Sequence, residues 1–369
     1  VRILVIARPF VFHGGVERAT AGLLRGLVAH GQEVDLLTPG LQPPVEGVFV
    51  RHLRLPPLPA AARLLALVVA ARVATRRGQW DIVQSHERTL SQDVYRAGEG
   101  SHRAYLDSIG GARGRPLYHR AVLALERRLF ARTPRIVAIA ARGRREIERD
   151  YGVASERIRV IYNGVDLDRF HPRNQARDRA RARREAGVGA RAFAMLFLGS
   201  GFERKGLATA IGALAELGDA AARLIVVGKG RRAPYEIEAK RHGVGDRLVW
   251  LGARADSERW YAACDVVVLP TLYEPFGNVH LEALASGVPV ITSTRAGGAE
   301  LIREGLNGFV VDPGDASALA GAIERVRSAP PRSMGEGARH SAEPFTFSAQ
   351  AEGFLGIYRE LRAGNPQNP

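Results

Sequence analysis

The stretch Tyr273-Glu274-Pro275-Phe276-Gly277-Asn278-Val279-His280-Leu281-Glu282-Ala283-Leu284-Ala285-Ser286-Gly287-Val288-Pro289-Val290-Ile291 sets two carboxylates, Glu274 and Glu282, on either side of a Pro-Phe-Gly turn. Pro275 has no backbone N–H to donate, and Gly277 lets a ligand come close to its amide. Asn278 reads as a helix N-cap, with Val279 to Ser286 as a short helix closed by Gly287 and Pro289. Glu274 then lies on the loop and Glu282 about one turn inside the helix. Both are near a helix N-terminus, which favours phosphate. An ionised carboxylate only accepts hydrogen bonds, so hydroxyl groups are its natural partners. The pattern is that of a clamp for a sugar carried on a phosphate.

Outward from this stretch, short β-rich runs alternate with helical ones. Strands are expected at Arg2 to Ala7, Glu33 to Thr38, Asp81 to Ser85, Arg135 to Ala140 and Ile158 to Ile161. A second series is expected at Ala192 to Gly199, Leu224 to Val227, Leu248 to Leu251, Val266 to Leu269 and Val288 to Thr292. Helices are expected at Val16 to His30, Gly206 to Gly218 and Phe345 to Leu361, the last one amphipathic. Such alternation predicts parallel sheets covered by helices. The arginine-rich segment Arg173 to Glu185 lacks an apolar stripe and reads as a solvated helix opening a second domain. The linker falls near Asp166 to Pro172. The expected domains are residues 1–168, residues 173–344 and a terminal segment 345–369.

The 369 residues suit two domains, and 46% apolar with 25% charged residues describes a globular chain. A single cysteine, Cys264, excludes an intramolecular disulfide and a cysteine-based metal site; its apolar setting marks it as a packing residue. Val1 to Ala7 is too short for the apolar core of a signal peptide, and Ala60 to Ala71 too short to span a bilayer, so a soluble or peripheral protein is expected. The net charge of +15 is unevenly placed. Residues 1–165 hold 26 arginines against 14 acids, and the remainder 27 cations against 24 acids. A basic first domain suits an anionic membrane surface or a phosphorylated acceptor.

Five motifs in order resemble the retaining glycosyltransferases of family 4. They are Phe12-His13-Gly14-Gly15-Val16-Glu17-Arg18, Asp81-Ile82-Val83-Gln84-Ser85-His86, Ile161-Tyr162-Asn163-Gly164-Val165-Asp166, Gly199-Ser200-Gly201-Phe202-Glu203-Arg204-Lys205-Gly206 and the opening stretch. The resemblance spans nearly the whole chain. It implies the α/β GT-B fold: two doubly wound, Rossmann-like parallel-sheet domains facing a central cleft, the first binding the acceptor and the second the nucleotide sugar, with the terminal helix crossing back to the first. Gln92 to Glu99 is similar to the lipopolysaccharide core glucosyltransferase branch.

The resemblance also implies roles. Gly14 and Gly15 let backbone approach a diphosphate or the acceptor. Arg204 and Lys205 bind the donor phosphates, where a leaving diphosphate gains charge, and take the place of a divalent metal. Glu282 holds the ribose hydroxyls and Glu274 the hexose hydroxyls. The amides of Phe276, Gly277 and Asn278 complete the pocket, and Arg254 lies near the nucleobase. His86 is a polar group beside the reacting carbon, while Glu99 and Glu17 are candidates for the acceptor side. Glu99 follows Tyr95 to Gly98, read as a loop. Glu17 also suits the helix dipole at that position. Where many members carry Ser-Glu, this chain has Ala140-Ala141-Arg142, so a hydroxyl contact of its relatives is absent.

The expected reaction transfers a hexose, glucose from UDP-glucose being favoured, to a glycan or glycolipid hydroxyl such as a lipopolysaccharide core heptose, without metal or other cofactor. Its expected place is the cytoplasmic face of the inner membrane. A GT-B nucleotide-sugar 2-epimerase and a non-enzymatic polyanion binder are the alternatives. Only three lysines (Lys205, Lys229 and Lys240) argue against a pyridoxal-phosphate phosphorylase. No G-x-G-x-x-G with a distal acid supports an oxidoreductase, and no nucleic-acid motif accompanies the basic charge.

Overall fold

A computed structural model describes residues 1–10, 15–111, 115–330 and 333–364. The chain forms two compact units, one of Val1–Gly164 with the segment from Phe345 onward, the other of Val165–Pro344.

The first unit contains strands β1 (Arg2–Ile6), β2 (Glu33–Pro39), β3 (Val48–Leu53), β4 (Ile82–Ser85), β5 (Val94–Ala97), β6 (Arg135–Ala138) and β7 (Ile158–Val160). Its helices are α1 (Gly15–Ala29), α2 (Ala60–Arg77), α3 (His102–Ser108), α4 (Pro116–Arg132) and α5 (Ala141–Tyr151). All seven strands are parallel, in the order β3-β2-β1-β4-β5-β6-β7. Parallel neighbours need crossovers, and the helices that supply them bury both sheet faces. Ile3 and Val5 pack with Leu23, Leu24 and Leu27 of α1. Leu4 and Ile6 point the other way, against Ala71 of α2 and Val83.

In the second unit α6 (Arg173–Glu185), α7 (Leu207–Glu216), α8 (Ala233–Arg241), α9 (Ser257–Ala263), α10 (Asn278–Ala285), α11 (Ala316–Ser328) and α12 (Ser333–Ala342) accompany six strands. These are β8 (Ala194–Leu198), β9 (Arg223–Val227), β10 (Leu248–Gly252), β11 (Val266–Leu269), β12 (Val290–Ser293) and β13 (Gly308–Val311). The sheet is again parallel, in the order β10-β9-β8-β11-β12-β13. Its core joins Met195 and Phe197 to Leu207, Ile211 and Leu214 of α7 and to Leu319 and Ile323 of α11. Cys264 is buried as a free thiol.

The last helix, α13 (Phe347–Ala363), belongs to the first unit and lays Phe354, Leu355 and Tyr358 onto the α1 side of that core.

Three local expectations need correction. Tyr95 to Ala97 is strand β5, not loop, with every residue buried. Helix α6 has the expected bounds but is not simply solvated: Arg183 is 3% exposed. Its guanidinium donates to the carbonyls of Ala263, Gly189, Ala190 and Ala192 and to Asp265. An arginine fork has five donors, so a polar face can be buried where enough acceptors converge. Finally, Gly277 rather than Asn278 occupies the N-cap of α10, with φ of 85°, and Asn278 is the first helical residue.

Candidate active site

Ligands of open parallel sheets collect beyond the carboxyl ends of the strands, where the strand order reverses direction. In the second unit that point lies between β8 and β11. The loop after β8 carries Arg204 and Lys205, and the loop after β11 carries Glu274. One atom joins them: Glu274 Oε2 lies 3.0 Å from Arg204 Nη1 and 3.0 Å from Lys205 Nζ. Arg204 Nη1 also donates to the Tyr273 carbonyl at 2.6 Å. Burial pushes the Glu274 carboxyl up, but Lys205 and then Arg204 hold it down at about 2. It is therefore a fixed anion at neutral pH. Its Oε1 accepts no bond among the described residues, which leaves that oxygen for a hydroxyl donor.

Two glycines set this geometry. Gly206 precedes α7 with φ of 76°, and a Cβ there would lie 2.0 Å from the Pro270 carbonyl oxygen. The two loops approach each other only because that atom is missing. Gly277 has φ of 85°, and a Cβ would come within 2.7 Å of His280 Nδ1 and 3.0 Å of Glu274 Cγ. His280 locks the turn: its Nδ1 lies 2.7 Å from the Gly277 carbonyl oxygen and its Nε2 2.8 Å from Thr292 Oγ1. A carbonyl only accepts, so Nδ1 carries the proton. Burial lowers the His280 pKa to about 4 despite the Gly277 bond, which keeps the ring neutral.

Glu282 faces inward from α10, 4% exposed, and its Oε2 accepts from the Tyr261 hydroxyl at 2.9 Å. Phe276 is buried at 1% exposure, so its ring packs while its main chain lines the turn. At the start of α7 the Leu207 amide donates to the Phe202 carbonyl at 3.0 Å, and in the first turn of α10 the His280 amide donates to the Gly277 carbonyl at 2.9 Å; both sit at the positive ends of their helix dipoles. Arg254 sits apart from the Glu274 cluster. It pairs with Asp256 and Glu185 and lies over the Trp260 ring at 5.2 Å.

In the first unit the reversal lies between β1 and β4. His86 follows β4 and is 9% exposed. Its Nε2 is 2.7 Å from Gln84 Nε2 and its Nδ1 3.4 Å from Thr20 Oγ1. The Gln84 oxygen accepts from the Tyr358 hydroxyl of α13 at 2.5 Å, which turns the amide NH2 toward His86. Burial, then Arg96 and Arg8, push the His86 pKa well below its usual value, so the imidazole is neutral. Glu99, after β5, is clamped by Arg8 Nη2 at 2.5 Å and Arg88 Nη1 at 2.6 Å. Burial raises its pKa, but Arg88 and Arg8 outweigh this and hold it at about 2. Arg88 continues to the buried Glu126, which also accepts from Tyr151. Glu17 stands in the first turn of α1, and Gly15 begins that helix. Gly14 and His13 lie outside the described residues.

Sequence reading missed His280, Tyr261, Arg8 and Arg88. A histidine three residues after the turn glycine, and an arginine just past each of the first unit's switch-point strands, were the available signals.

Two family models match, "Glycosyltransferase Family 4" over residues 13–169 and "Glycosyl transferases group 1" over residues 192–328. A probable transglycosylase of Burkholderia thailandensis is 33% identical over 324 residues, covering 86% of this chain and 85% of the relative. The chain belongs to glycosyltransferase family 4. A D-inositol 3-phosphate glycosyltransferase of Streptomyces bingchenggensis is similar to this transferase at 30% identity over 392 residues, covering 95% of this chain and 86% of the relative. Among solved structures, WaaG, a glycosyltransferase involved in lipopolysaccharide biosynthesis, superposes with a TM-score of 0.83 at 23% identity, over 96% of this chain and 99% of its own. Anabaena HepE in complex with UDP-glucose gives 0.77 at 21% identity, over 97% and 99%. At these identities the structures speak to the GT-B fold of the transferase.

Proposed function

We propose that this transferase moves a hexose, with retention, from UDP-glucose to a hydroxyl of a glycan or glycolipid, a lipopolysaccharide core heptose being the favoured acceptor. The observation that carries the donor half is Glu274: one oxygen neutralised between Arg204 and Lys205, the other open. A diphosphate arriving at the same two cations would share them with Oε2, leaving Oε1 for the hexose hydroxyls. Glu282 would take the ribose. As the bond between the anomeric carbon and the phosphate oxygen breaks, that oxygen gains charge. Arg204, Lys205 and the helix amides stabilise it more than the ground state. The new bond forms from the acceptor oxygen on the same face, and the acceptor proton passes to the departing phosphate oxygen. We give the two cations the part that a divalent metal plays elsewhere. His86, neutral and aimed by Gln84, serves as a hydrogen-bonding group beside the reacting carbon, not as a base. The first unit is the proposed acceptor domain, working at the cytoplasmic face of the inner membrane.

HepE, solved with UDP-glucose, and WaaG, involved in lipopolysaccharide biosynthesis, support this donor and acceptor class by likeness. A second acceptor, a phosphorylated inositol, is favoured by the names of several relatives and by Arg8 and Arg88 beside Glu99. The test is NMR of the products from UDP-glucose, in EDTA, with heptosylated core, with inositol phosphate and with neither. An α-linked glucoside on one acceptor supports the reading and selects that acceptor. UDP-mannose without acceptor would instead show 2-epimerisation, and no turnover of any nucleotide sugar would overturn the proposal.

A further inference from the structure

Helix α9 closes with Trp260, Tyr261, Ala262 and Ala263, all buried. A wholly buried tyrosine must still set its hydroxyl against a polar partner. Tyr261, at 0% exposure, aims that hydroxyl at Glu282 Oε2 of α10, 2.9 Å away, and Glu282 is itself 4% exposed. A buried carboxylate needs such donors, since stripping it of water without them is costly. It offers about four lone-pair directions, and a bond to one oxygen fixes the plane in which the others lie. Phenylalanine at 261 would fill the same space and leave that plane unset.

Tyr261 is in turn held from outside its helix. Glu258 and Tyr261 are three residues apart and share a face of α9. The segment 165–172, with which the second unit begins, meets both of them. Arg169 Nε and Nη2 lie 3.0 and 2.8 Å from Glu258 Oε2, and Nη2 also donates to the Ala255 carbonyl at 2.7 Å. The Phe170 ring stands edge-on to the Tyr261 ring, with centroids 5.7 Å apart and planes at 78°. The Phe170 carbonyl accepts from Arg339 Nη1 of α12 at 3.0 Å, and the same nitrogen donates to the Ala285 carbonyl, at the end of α10, at 2.9 Å. One guanidinium thus ties the helix of Glu282 to the segment that braces Tyr261.

We propose that Tyr261 is a positioning residue of the donor site: its hydroxyl holds the Glu282 carboxylate in the orientation that reads a ribose diol, and Arg169 and Phe170 hold its ring and helix in place. The pair selects a ribonucleotide donor, because a sugar without those hydroxyls leaves a buried carboxylate unpaired. The inference rests on the ribose role given to Glu282 under the proposed function.

The test is calorimetric titration of UDP and of its 2′,3′-dideoxy analogue onto wild type, Tyr261→Phe and Glu282→Gln, with melting curves alongside. Wild type should prefer UDP by about a hundredfold, the effect of losing two hydrogen bonds to a charged group. Tyr261→Phe should narrow that preference about tenfold while binding the dideoxy analogue as wild type does. In transfer it should raise KM for UDP-glucose about tenfold and leave kcat within about twofold, since the ribose is held alike in ground and transition states. An unchanged preference in Tyr261→Phe, beside a lost one in Glu282→Gln, overturns the role of Tyr261 and leaves that of Glu282 standing. Equal weakening of both nucleotides makes Tyr261 a packing residue and overturns the inference as well. A wild type without preference, or a Glu282→Gln that keeps it, refutes the ribose reading of Glu282 and this inference with it. Should Tyr261→Phe not fold, Phe170→Leu, which loosens the ring and keeps the hydroxyl, should narrow the preference about threefold. An unchanged preference there would overturn the inference.

Discussion

Replacing Glu274 by Gln keeps the side chain's size and removes the charge that Arg204 and Lys205 share. The carboxyl is 14% exposed and held at about 2 against an ordinary 4.5. At 1.36 kcal/mol per pH unit, the ion pairs contribute about 3 kcal/mol to folding at neutral pH. Because the folded-state pKa is depressed, this contribution is complete above the unfolded value near 4.5. It is lost as pH falls toward 2. Linkage between the two values predicts that about 1.4 kcal/mol has gone by about pH 3.5. The gap between wild type and Glu274→Gln should thus shrink from about 3 to about 2 kcal/mol between neutral pH and that point. Urea unfolding, followed through Trp250 and Trp260 in a Trp80→Phe background, reports the second unit. A gap that is absent at neutral pH, or unchanged in acid, would refute the ion-pair reading of this carboxylate. The same variant frees both cations, so it should bind UDP at least as tightly as wild type while transferring less sugar.

Other outcomes follow from the same geometry. Lys205→Ala should lower kcat for transfer by about 10²–10³, the usual cost of removing one group aimed at a developing anion; unchanged steady-state kinetics would place the phosphates elsewhere. Gly206→Ala should lose about 1–2 kcal/mol from left-handed strain alone and, by driving the Pro270 carbonyl away, about a hundredfold in kcat/KM. Gly201→Ala, with φ of 78° and open space around its Cβ, should show the strain without the kinetic loss. Arg183→Met should destabilise the second unit by about 3–5 kcal/mol in denaturant unfolding, because four carbonyls and Asp265 lose a buried partner. The ¹⁵N shifts of His86 should report a neutral ring even at mildly acidic pH, and a titration near its usual value would contradict the environment described for it.

The sheets were legible where strands are continuous apolar runs. Val266 to Leu269 has the predicted bounds, since a strand buried on both faces needs no polar alternation to be seen. Three short strands escaped. At the sheet edge, β3 has no fully buried residue; β5 is four residues leading into a glycine turn, and β13 begins at Gly308. The donor cluster was legible because its residues share two motifs, and the resemblance supplied their roles. The pairing of Glu274 with both cations was not, since it depends on a glycine at 206 letting one loop close over another. Helix α6 misled for the opposite reason: apolar periodicity cannot register a face buried through guanidinium–carbonyl bonds. Glu99 looked like an open loop acid because Arg8 and Arg88 are far from it in sequence and reach it only through the strand order.

The central claim is that the switch point of the second unit holds a nucleotide sugar through Arg204, Lys205, Glu274 and Glu282. Calorimetric titration of UDP-glucose in EDTA, onto wild type and Glu282→Ala with unfolding curves alongside, tests it most directly. The account predicts saturable binding by wild type and loss of binding by a variant that remains folded. Equal binding by both proteins, or a wild type that binds no nucleotide sugar, would contradict it.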